Sequence, residues 1–338
     1  MPRSHQANDN NLRPAAGHNA ALRRPQTSGD ARLSRTPRRH NNFRQNWILW
    51  VMLLPVFAFF IINNYLPMVG IYFAFTKYDF SKGLFGSPFV GLDNFKFLWQ
   101  SNKLLELTAN TLLYNIVFIG LGNILQIFTA ILLSRTVTPF KKTSQTLIFM
   151  PYFVSYVILS VLVYNMFNYE YGLINHLLTQ AGHEAINFYG EARYWPFLIT
   201  LFFLWKNIGY GTVVYLATIL GINQEYYEAA EVDGANIFQQ VWYITLPQIK
   251  PTFIILLLFS LGGIMKGQFE LFYQMVGDNG LLFSTTDIID TYVYRTTIKS
   301  FDFGMGTAAG LYQSVFGFVL ILLVNAWVKR RHQEYALF

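Results

Sequence analysis

The stretch EYYEAAEVDGANIFQQVWYITLP, residues 225–247, is a polar segment between two long apolar ones. It contains four acidic residues and neither lysine nor arginine. A helix that rests on a bilayer surface favours lysine and arginine on its polar face, so this composition disfavours a membrane-surface helix. The stretch is therefore predicted to be a folded loop between membrane spans that contacts a protein partner.

The rest of the chain has the composition of a membrane protein. Of its 338 residues, 53% are hydrophobic and only 13% are charged, whereas a soluble domain carries about 25% charged residues. There is no cysteine, which excludes disulfides and cysteine metal sites. The net charge of +7 comes from basic residues that cluster at the ends of apolar runs, a distribution that indicates membrane orientation rather than nucleic-acid binding.

Six apolar runs are long enough to cross a membrane, since a helix needs about 20 mostly apolar residues to span the hydrocarbon core. They predict an all-α polytopic membrane protein with six transmembrane helices. The predicted spans are 47–75, 105–134, 145–168, 194–220, 251–277 and 305–328.

These spans divide the chain into three regions. Residues 47–328 form the predicted transmembrane domain, with the polar loop at 221–247. Residues 1–46 are rich in arginine, asparagine and proline and lack apolar periodicity, which predicts a disordered basic tail rather than a signal peptide. Residues 329–338 form a short C-terminal tail.

The distribution of lysine and arginine predicts that both termini are cytoplasmic. In this orientation the inner segments hold sixteen basic residues and the outer segments hold seven, as expected for a membrane protein that follows the positive-inside rule. Without residues 1–46 the two sides are equal, at seven each. The orientation places the polar loop in the cytoplasm.

Local chemistry in the polar loop predicts two short helices around a bend. Residues 225–232 are fair helix formers, Gly234 permits a sharp turn, and Asn236 is a suitable cap for the second helix. Pro247 and Pro251 are predicted to bracket the start of the fifth span.

Four further side chains of the loop suit contact with a partner. Ala229 and Ala230 are small and allow close approach, and Glu228 and Asp233 supply charge that an arginine or lysine could meet.

Several stretches resemble a known family. EAAEVDGA (228–235) followed by ITLP (244–247) resembles the EAA loop of permease subunits in bacterial ABC importers. FVGLDNFKFL, IFMPYFVS and DTYVYRTTIKSFDFGMGTAAGLYQSVFGFVLILLVN are similar to the carbohydrate-uptake permeases of the maltose-type superfamily, most of all to the LplB-like branch that handles polysaccharide fragments such as alginate and pectic oligosaccharides. The resemblance covers about residues 45–338.

This resemblance implies a type I importer permease and a role for the loop. In the family, the loop docks as a coupling helix into a cleft of a cytoplasmic ATPase. The resemblance then makes Glu228 the ionic contact, Ala229 and Ala230 the close-packing surface, and Gly234 the bend. The implied partners are a second, similar permease subunit, two ATPase subunits, and an extracytoplasmic solute-binding protein.

ATP hydrolysis is assigned to those partners. The chain has no G-x-x-x-x-G-K-[ST] loop to hold phosphates. It is therefore predicted to be a transport subunit rather than an enzyme and to bind no cofactor itself, with ATP and Mg²⁺ used by the ATPase subunits.

Three ionisable residues at membrane depth are candidates for the solute path, since such residues are costly there and mark functional sites by default. They are Lys206, Lys266 and Glu270. In one reading, Lys266 and Glu270 pair with each other one helical turn apart while Lys206 pairs with a partner subunit. In the other, an unpaired lysine in a water-filled cavity attracts an anionic solute.

Similarity to the maltose-type permeases places solute contacts on the helix before the loop, here LWKNIGYGTVVYL (204–216). It implies that Lys206, Asn207 and Tyr210 lie on the path, joined by Gln268 and by Lys266 or Glu270 from the following helix. Amides can bond sugar hydroxyls in both directions, and tyrosine can stack on a pyranose. The two lysines predict an acidic oligosaccharide such as a uronate, with a neutral oligosaccharide as the alternative.

Other classes of protein fit less well. An ion-coupled secondary sugar transporter would show inverted repeats with broken helices, and the sequence shows none. An intramembrane enzyme would need clustered catalytic groups, which the spans lack. His176, His183 and Glu184 do not have metal-ligand spacing, so no metal site is predicted.

Overall fold

A computed structural model describes residues 47–331 of the chain. Its regular secondary structure in this range is helical, apart from one isolated β-bridge between Thr76 and Phe89, and turns and loops connect the helices. The predicted disordered tail, 1–46, and residues 332–338 of the predicted C-terminal tail lie outside this range.

Fifteen α-helices account for most of the described residues. They are α1 (Trp47–Phe60), α2 (Gly83–Gly86), α3 (Asp93–Gln100), α4 (Lys103–Ser134), α5 (Thr138–Phe149), α6 (Tyr156–Phe167), α7 (Leu173–Gln180), α8 (Trp195–Leu220), α9 (Gln224–Val232), α10 (Ile237–Gln240), α11 (Leu246–Leu261), α12 (Phe269–Val276), α13 (Phe283–Thr286), α14 (Ile289–Tyr294) and α15 (Phe303–Arg331). The π-helical turns are Ile61–Tyr65, Val241–Thr245 and Arg295–Lys299, and the 3₁₀ segments are Leu66–Phe75, Met150–Phe153, Ala192–Tyr194 and Gly280–Leu282.

The chain divides after Phe59 into two units. In the first unit, the described residues belong to α1, an apolar helix with no buried side chain. An apolar helix that exposes its side chains is suited to a lipid environment. The second unit begins at Phe60 and contains the remaining helices.

Five continuous helical segments of the described chain are long and apolar enough to cross a membrane. Two further pieces, Pro139–Phe153 and Tyr156–Phe167, meet the same criteria only as a pair, with axes bent by 93° at the residues between them. This pair coincides with the predicted third span, and the name third crossing denotes these two pieces. The continuous segments are Trp47–Phe75, Lys103–Ser134, Ala192–Leu220, Ile237–Leu261 and Phe303–Arg330. Five of the six predicted spans overlap these helices closely, although the break in the third was not predicted.

The predicted fifth span, 251–277, is wrong in both of its boundaries. The helical segment begins at Ile237 and ends at Leu261, so Pro247 and Pro251 lie within it instead of bracketing its start. The π-helical turn over Val241–Thr245 precedes Pro247, and such turns accommodate an irregular backbone hydrogen-bond pattern within a helix. At the other end, the chain leaves the helix at Gly262, where glycines favour non-helical backbone.

The pair α4 and α8 positions the functional site. The two helices pack closely at Gly211, where a Cβ atom would overlap the side chain of Gln126. The buried hydroxyl of Tyr215 donates a hydrogen bond of 2.6 Å to Asn123 Oδ1. Polar side chains thus lie along the seam between these helices and satisfy one another within the apolar surroundings.

Candidate functional site

A cavity of about 420 Å³ lies among α4, α8, α11 and the non-helical residues that follow α11. Tyr210 and Lys266 both line it. The neutral polar residues of its wall are Asn115, Asn123, Gln126, Asn207, Ser260 and Gln268.

Four of the six predicted path residues meet in this cavity. Asn207 and Tyr210 come from α8, and Lys266 and Gln268 come from the segment after α11. The other two, Lys206 and Glu270, are not part of the lining.

Sequence reasoning missed the contribution of α4. Asn115, Asn123 and Gln126 line the cavity, and spacings of eight and eleven residues place them on one side of a helix. Amide side chains on one side of an otherwise apolar span were the signal that could have identified them.

Lys206 does not line the cavity. Its ammonium group instead binds backbone carbonyl groups at the break in the third crossing. The residue is 7% exposed, and its Nζ atom donates hydrogen bonds to the carbonyl oxygens of Tyr152, at 2.7 Å, and of Val154. The ring centroids of Tyr152 and Tyr156 lie 5.5 and 5.0 Å from the same atom. Carbonyl groups freed at a helix break need partners at membrane depth, and Lys206 supplies them.

The break also supports one wall of the cavity. The ring of Tyr152 stacks on that of Tyr210, with centroids 5.4 Å apart and an interplanar angle of 20°. Since Tyr210 is half exposed and lines the cavity, the broken crossing positions an aromatic face there.

The non-helical segment after α11 is held from three other helices. The side-chain amide of Asn115 on α4 donates to the Lys266 carbonyl at 3.3 Å. Asp290 Oδ2 on α14 accepts a hydrogen bond of 2.7 Å from the backbone N–H of Gly267. Gln313 on α15 donates both to this carboxylate oxygen, at 2.9 Å, and to the Met265 carbonyl, at 2.6 Å.

Gly267 is required for this close approach. A Cβ atom at this position would overlap the side chains of Ile288 and Asp290. Irregular backbone at membrane depth is tolerated where protein groups satisfy it, so the break is a built feature of the fold.

The interpretation in which Lys266 and Glu270 pair along one helix is wrong. Lys266 lies in the non-helical segment, whereas Glu270 is in the first turn of α12. Among the ion pairs of residues 47–331, none joins these two side chains.

The polar loop has the predicted helix, bend and helix. Asn223 Oδ1 accepts a hydrogen bond from Glu225 N at the start of α9, and Gly234 follows α9 with φ of +77°, a conformation that favours glycine. Asn236 and Gln239 form a capping box at the start of α10, with bonds of 2.8 and 2.9 Å. The second helix is not short, since it continues through the π-helical turn into α11.

One side of α9 is anchored to the membrane helices. The ring of Tyr227 is buried, its hydroxyl lies 3.0 Å from Thr245 Oγ1, and the guanidinium of Arg135 lies 5.1 Å from the ring centroid. The loop is thereby connected to the end of α4 and to the start of α11.

The other side of the loop is open to solvent. Glu228, Ala229, Asp233 and Gly234 are exposed, and Ala230 is half buried. Exposed apolar side chains surround them, and sequence reasoning missed these: Val232, Ile237, Phe238, Trp242 and Tyr243. Val232 and Phe238 are 88% and 85% exposed, and an exposed apolar patch with a polar rim is typical of a protein–protein contact.

Residues 122–333 match the family described as binding-protein-dependent transport system inner membrane component. Protein LplB of Bacillus subtilis (strain 168) is 36% identical over 292 residues, which cover 86% of this chain and 91% of LplB. The polygalacturonan/rhamnogalacturonan transport system permease protein YteP of the same strain is 35% identical, over 86% of this chain and 90% of YteP.

Solved structures show the same architecture. A chain of a bacterial ABC transporter involved in the import of the acidic polysaccharide alginate superposes with a TM-score of 0.77 at 31% identity, covering 86% of this chain and 97% of its own length. A bacterial alginate ABC transporter in complex with an alginate pentasaccharide-bound periplasmic protein gives the same TM-score and identity over 88% and 98%. The predicted fold class and the predicted likeness to LplB are confirmed.

Proposed function

The chain belongs to the family of binding-protein-dependent transport system inner membrane components, and on that premise we propose that it is the permease subunit through which an acidic oligosaccharide enters the cell. The relatives support the substrate class: YteP is described as a polygalacturonan/rhamnogalacturonan permease, and the similar solved structures import alginate. Polygalacturonan and alginate are both chains of uronate units.

The observation that carries this proposal is the polar cavity at membrane depth. Its volume of about 420 Å³ falls within the range of about 300–1,000 Å³ of small-molecule sites. Side-chain amides can donate to and accept from sugar hydroxyls, and the face of Tyr210 can stack on a pyranose ring. The residues assigned to the path or its support are Lys206, Asn207, Tyr210, Lys266, Gln268 and Glu270.

The exposed side of the polar loop is assigned to coupling. Glu228 meets a basic residue of a separate ATPase subunit, Ala229 and Ala230 pack against it, Asp233 adds charge, and Gly234 fixes the bend. The resulting assembly contains two ATPase subunits, which use ATP and Mg²⁺, and a second, similar permease subunit. An extracytoplasmic binding protein delivers the sugar, and both termini of the chain face the cytoplasm.

The connection between the loop and the cavity suits alternating access. Movement of α9 is carried to α11 by the contact between Tyr227 and Thr245. The helical segment Ile237–Leu261 is continuous and reaches the cavity at Leu256, Phe259 and Ser260. A displacement imposed on the loop by the ATPase therefore shifts a wall of the cavity.

Uptake by the reconstituted importer tests the proposal. The full assembly, with its binding protein, is placed in proteoliposomes that contain ATP and is offered a radiolabelled galacturonate trisaccharide or maltotriose. We expect ATP-dependent uptake of the uronate. Preferential uptake of maltotriose, or uptake that needs a proton gradient instead of ATP, would refute the proposal.

A further inference from the structure

We propose that Lys266 forms a carboxylate-binding subsite in the cavity and that its single positive charge selects uronate units over neutral sugars. This inference rests on the proposed function and names the residue that would set its charge preference. Three observations support it: the two lysines at membrane depth have separate roles, the side chain of Lys266 is accessible, and the rest of the cavity wall is uncharged.

Lys206 is already committed to the protein. Its ammonium donates to two backbone carbonyls, lies near two tyrosine rings, and is buried outside the cavity lining. Two of the three N–H donors of a lysine ammonium are thus in use. Its charge is needed at the break of the third crossing.

Lys266 differs in each of these respects. Its side chain is exposed and lines the cavity. Within residues 47–331, no hydrogen bond or ion pair of its ammonium is present, while its backbone carbonyl accepts a hydrogen bond from Asn115. The backbone is thus fixed while the charged end remains available to a ligand.

The two neighbouring carboxylates, those of Asp290 and Glu270, do not pair with Lys266. Asp290 Oδ2 accepts hydrogen bonds from Gly267 N and from the Gln313 side chain. Glu270 lies in the first turn of α12 and is not part of the cavity lining. Neither forms an ion pair with Lys266 in the described part of the chain.

The rest of the cavity lining is uncharged. Among the described residues that form the wall, Lys266 is the only one with an ionised side chain. The other polar groups of the wall are side-chain amides and the hydroxyls of Tyr210 and Ser260. Gln268 lies two residues further along the same segment and also lines the cavity, so its amide can donate to an anion held by Lys266. An ammonium with an adjacent amide donor suits a carboxylate, because hydrogen bonds to ionised groups are the stronger kind.

A charge series at position 266 tests the subsite in the full reconstituted importer. The variants are Lys266→Arg, Lys266→Gln and Lys266→Glu, and Lys142→Gln is the matched control, since Lys142 is exposed on α5 outside the cavity lining. The probes are a galacturonate trisaccharide and its carboxyl-reduced, neutral counterpart of equal length. Comparison of each variant with the wild type, for the same probe, cancels the preference of the binding protein.

We expect Lys266→Gln to lower kcat/KM for uronate uptake by about ten- to a hundredfold, the range for loss of a hydrogen bond to a charged group. Lys266→Glu should lower it further, and Lys266→Arg and Lys142→Gln should stay near the wild type. Uptake of the neutral probe, where the binding protein accepts it, should not fall. Unstimulated ATPase activity and subunit composition report whether each assembly is intact.

Two results would overturn the subsite: a glutamine variant that takes up the uronate like the wild type, or an arginine variant as defective as the glutamate variant, which would indicate a structural role. A wild-type importer that does not take up the uronate at all would instead refute the proposed function, and the subsite with it.

Discussion

Replacement of Lys206 by methionine tests whether this lysine holds the broken crossing. Methionine keeps much of the side-chain length but removes the donors to the carbonyls of Tyr152 and Val154. A hydrogen bond to a charged group contributes about 1.5–3 kcal/mol, so loss of both lowers the free energy of unfolding by about 3–6 kcal/mol. Because the variant no longer buries an ammonium group, part of the desolvation cost of folding is removed. The expected net decrease in the free energy of unfolding is therefore about 2–3 kcal/mol.

Two measurements report this loss. Chemical denaturation in mixed micelles gives the change in the free energy of unfolding, with Lys250→Met as the control, because Lys250 is an exposed lysine of α11. Since the chain has no cysteine, spin labels can be attached at Lys142→Cys on α5 and Val161→Cys on α6 without background. In the Lys206→Met variant the mean distance between these labels should increase, or the distribution of distances should broaden. The reason is that the ammonium group that binds the carbonyls at the 93° bend is absent.

Unchanged stability together with an unchanged label distance would refute the reasoning, because the break would then not depend on the lysine. A fall in stability that Lys250→Met reproduces would show that the loss is not specific to the break.

Three further variants have defined outcomes. The double variant Glu228→Lys, Gly234→Val should abolish transport and leave membrane insertion intact, as measured by protease accessibility. Gly234 has φ of +77°, and a left-handed residue with a Cβ costs about 1–2 kcal/mol, so the bend of the loop should be disturbed; normal substrate-stimulated ATPase activity would contradict the role of the loop. Phe238→Asp should reduce copurification of the ATPase without changing the stability of the chain, since the side chain is 85% exposed, and an equal yield of complex would count against the docking surface. Gly267→Val should lower the free energy of unfolding by about 1–3 kcal/mol through overpacking against Asp290. Denaturation measures the change, with Gly120→Val as the comparison, because Gly120 is an exposed glycine of α4 with open surroundings; an equal loss at both sites would contradict overpacking at Gly267.

Features that depend on local sequence were predictable. The run of apolar residues in 47–75 and the cap at Asn236 are both properties of neighbouring residues, and the structure has a helix over Trp47–Phe75 and a capping box at Asn236. The bend at Gly234 is local in the same sense. Position within a predicted span selected Lys266, and similarity to the maltose-type permeases selected Tyr210; both residues line the cavity.

Features that depend on distant partners were not predictable. The carbonyls that bind Lys206 belong to residues more than 50 positions earlier in the chain, so the sequence did not distinguish a committed lysine from a free one. The fifth span was misplaced because its bounds were taken from an apolar run between charged residues. The helix instead begins within the polar loop, where the π-helical turn before Pro247 keeps it continuous. The break after α11 likewise depends on a hydrogen bond that Asn115 donates to the Lys266 carbonyl and on one that Asp290 accepts from the backbone N–H of Gly267.

The length of the segment Ile237–Leu261 has a mechanical consequence. Its 25 residues form a rod of about 37 Å at a rise of 1.5 Å per residue. If the rod pivots where Tyr227 holds Thr245, the part from Thr245 to Leu261 is a lever of about 24 Å, and a tilt of about 10° moves its far end by about 4 Å. That is of the order of the width of one sugar ring, so a small rotation of this helix at the polar loop produces a displacement on the scale of one sugar unit.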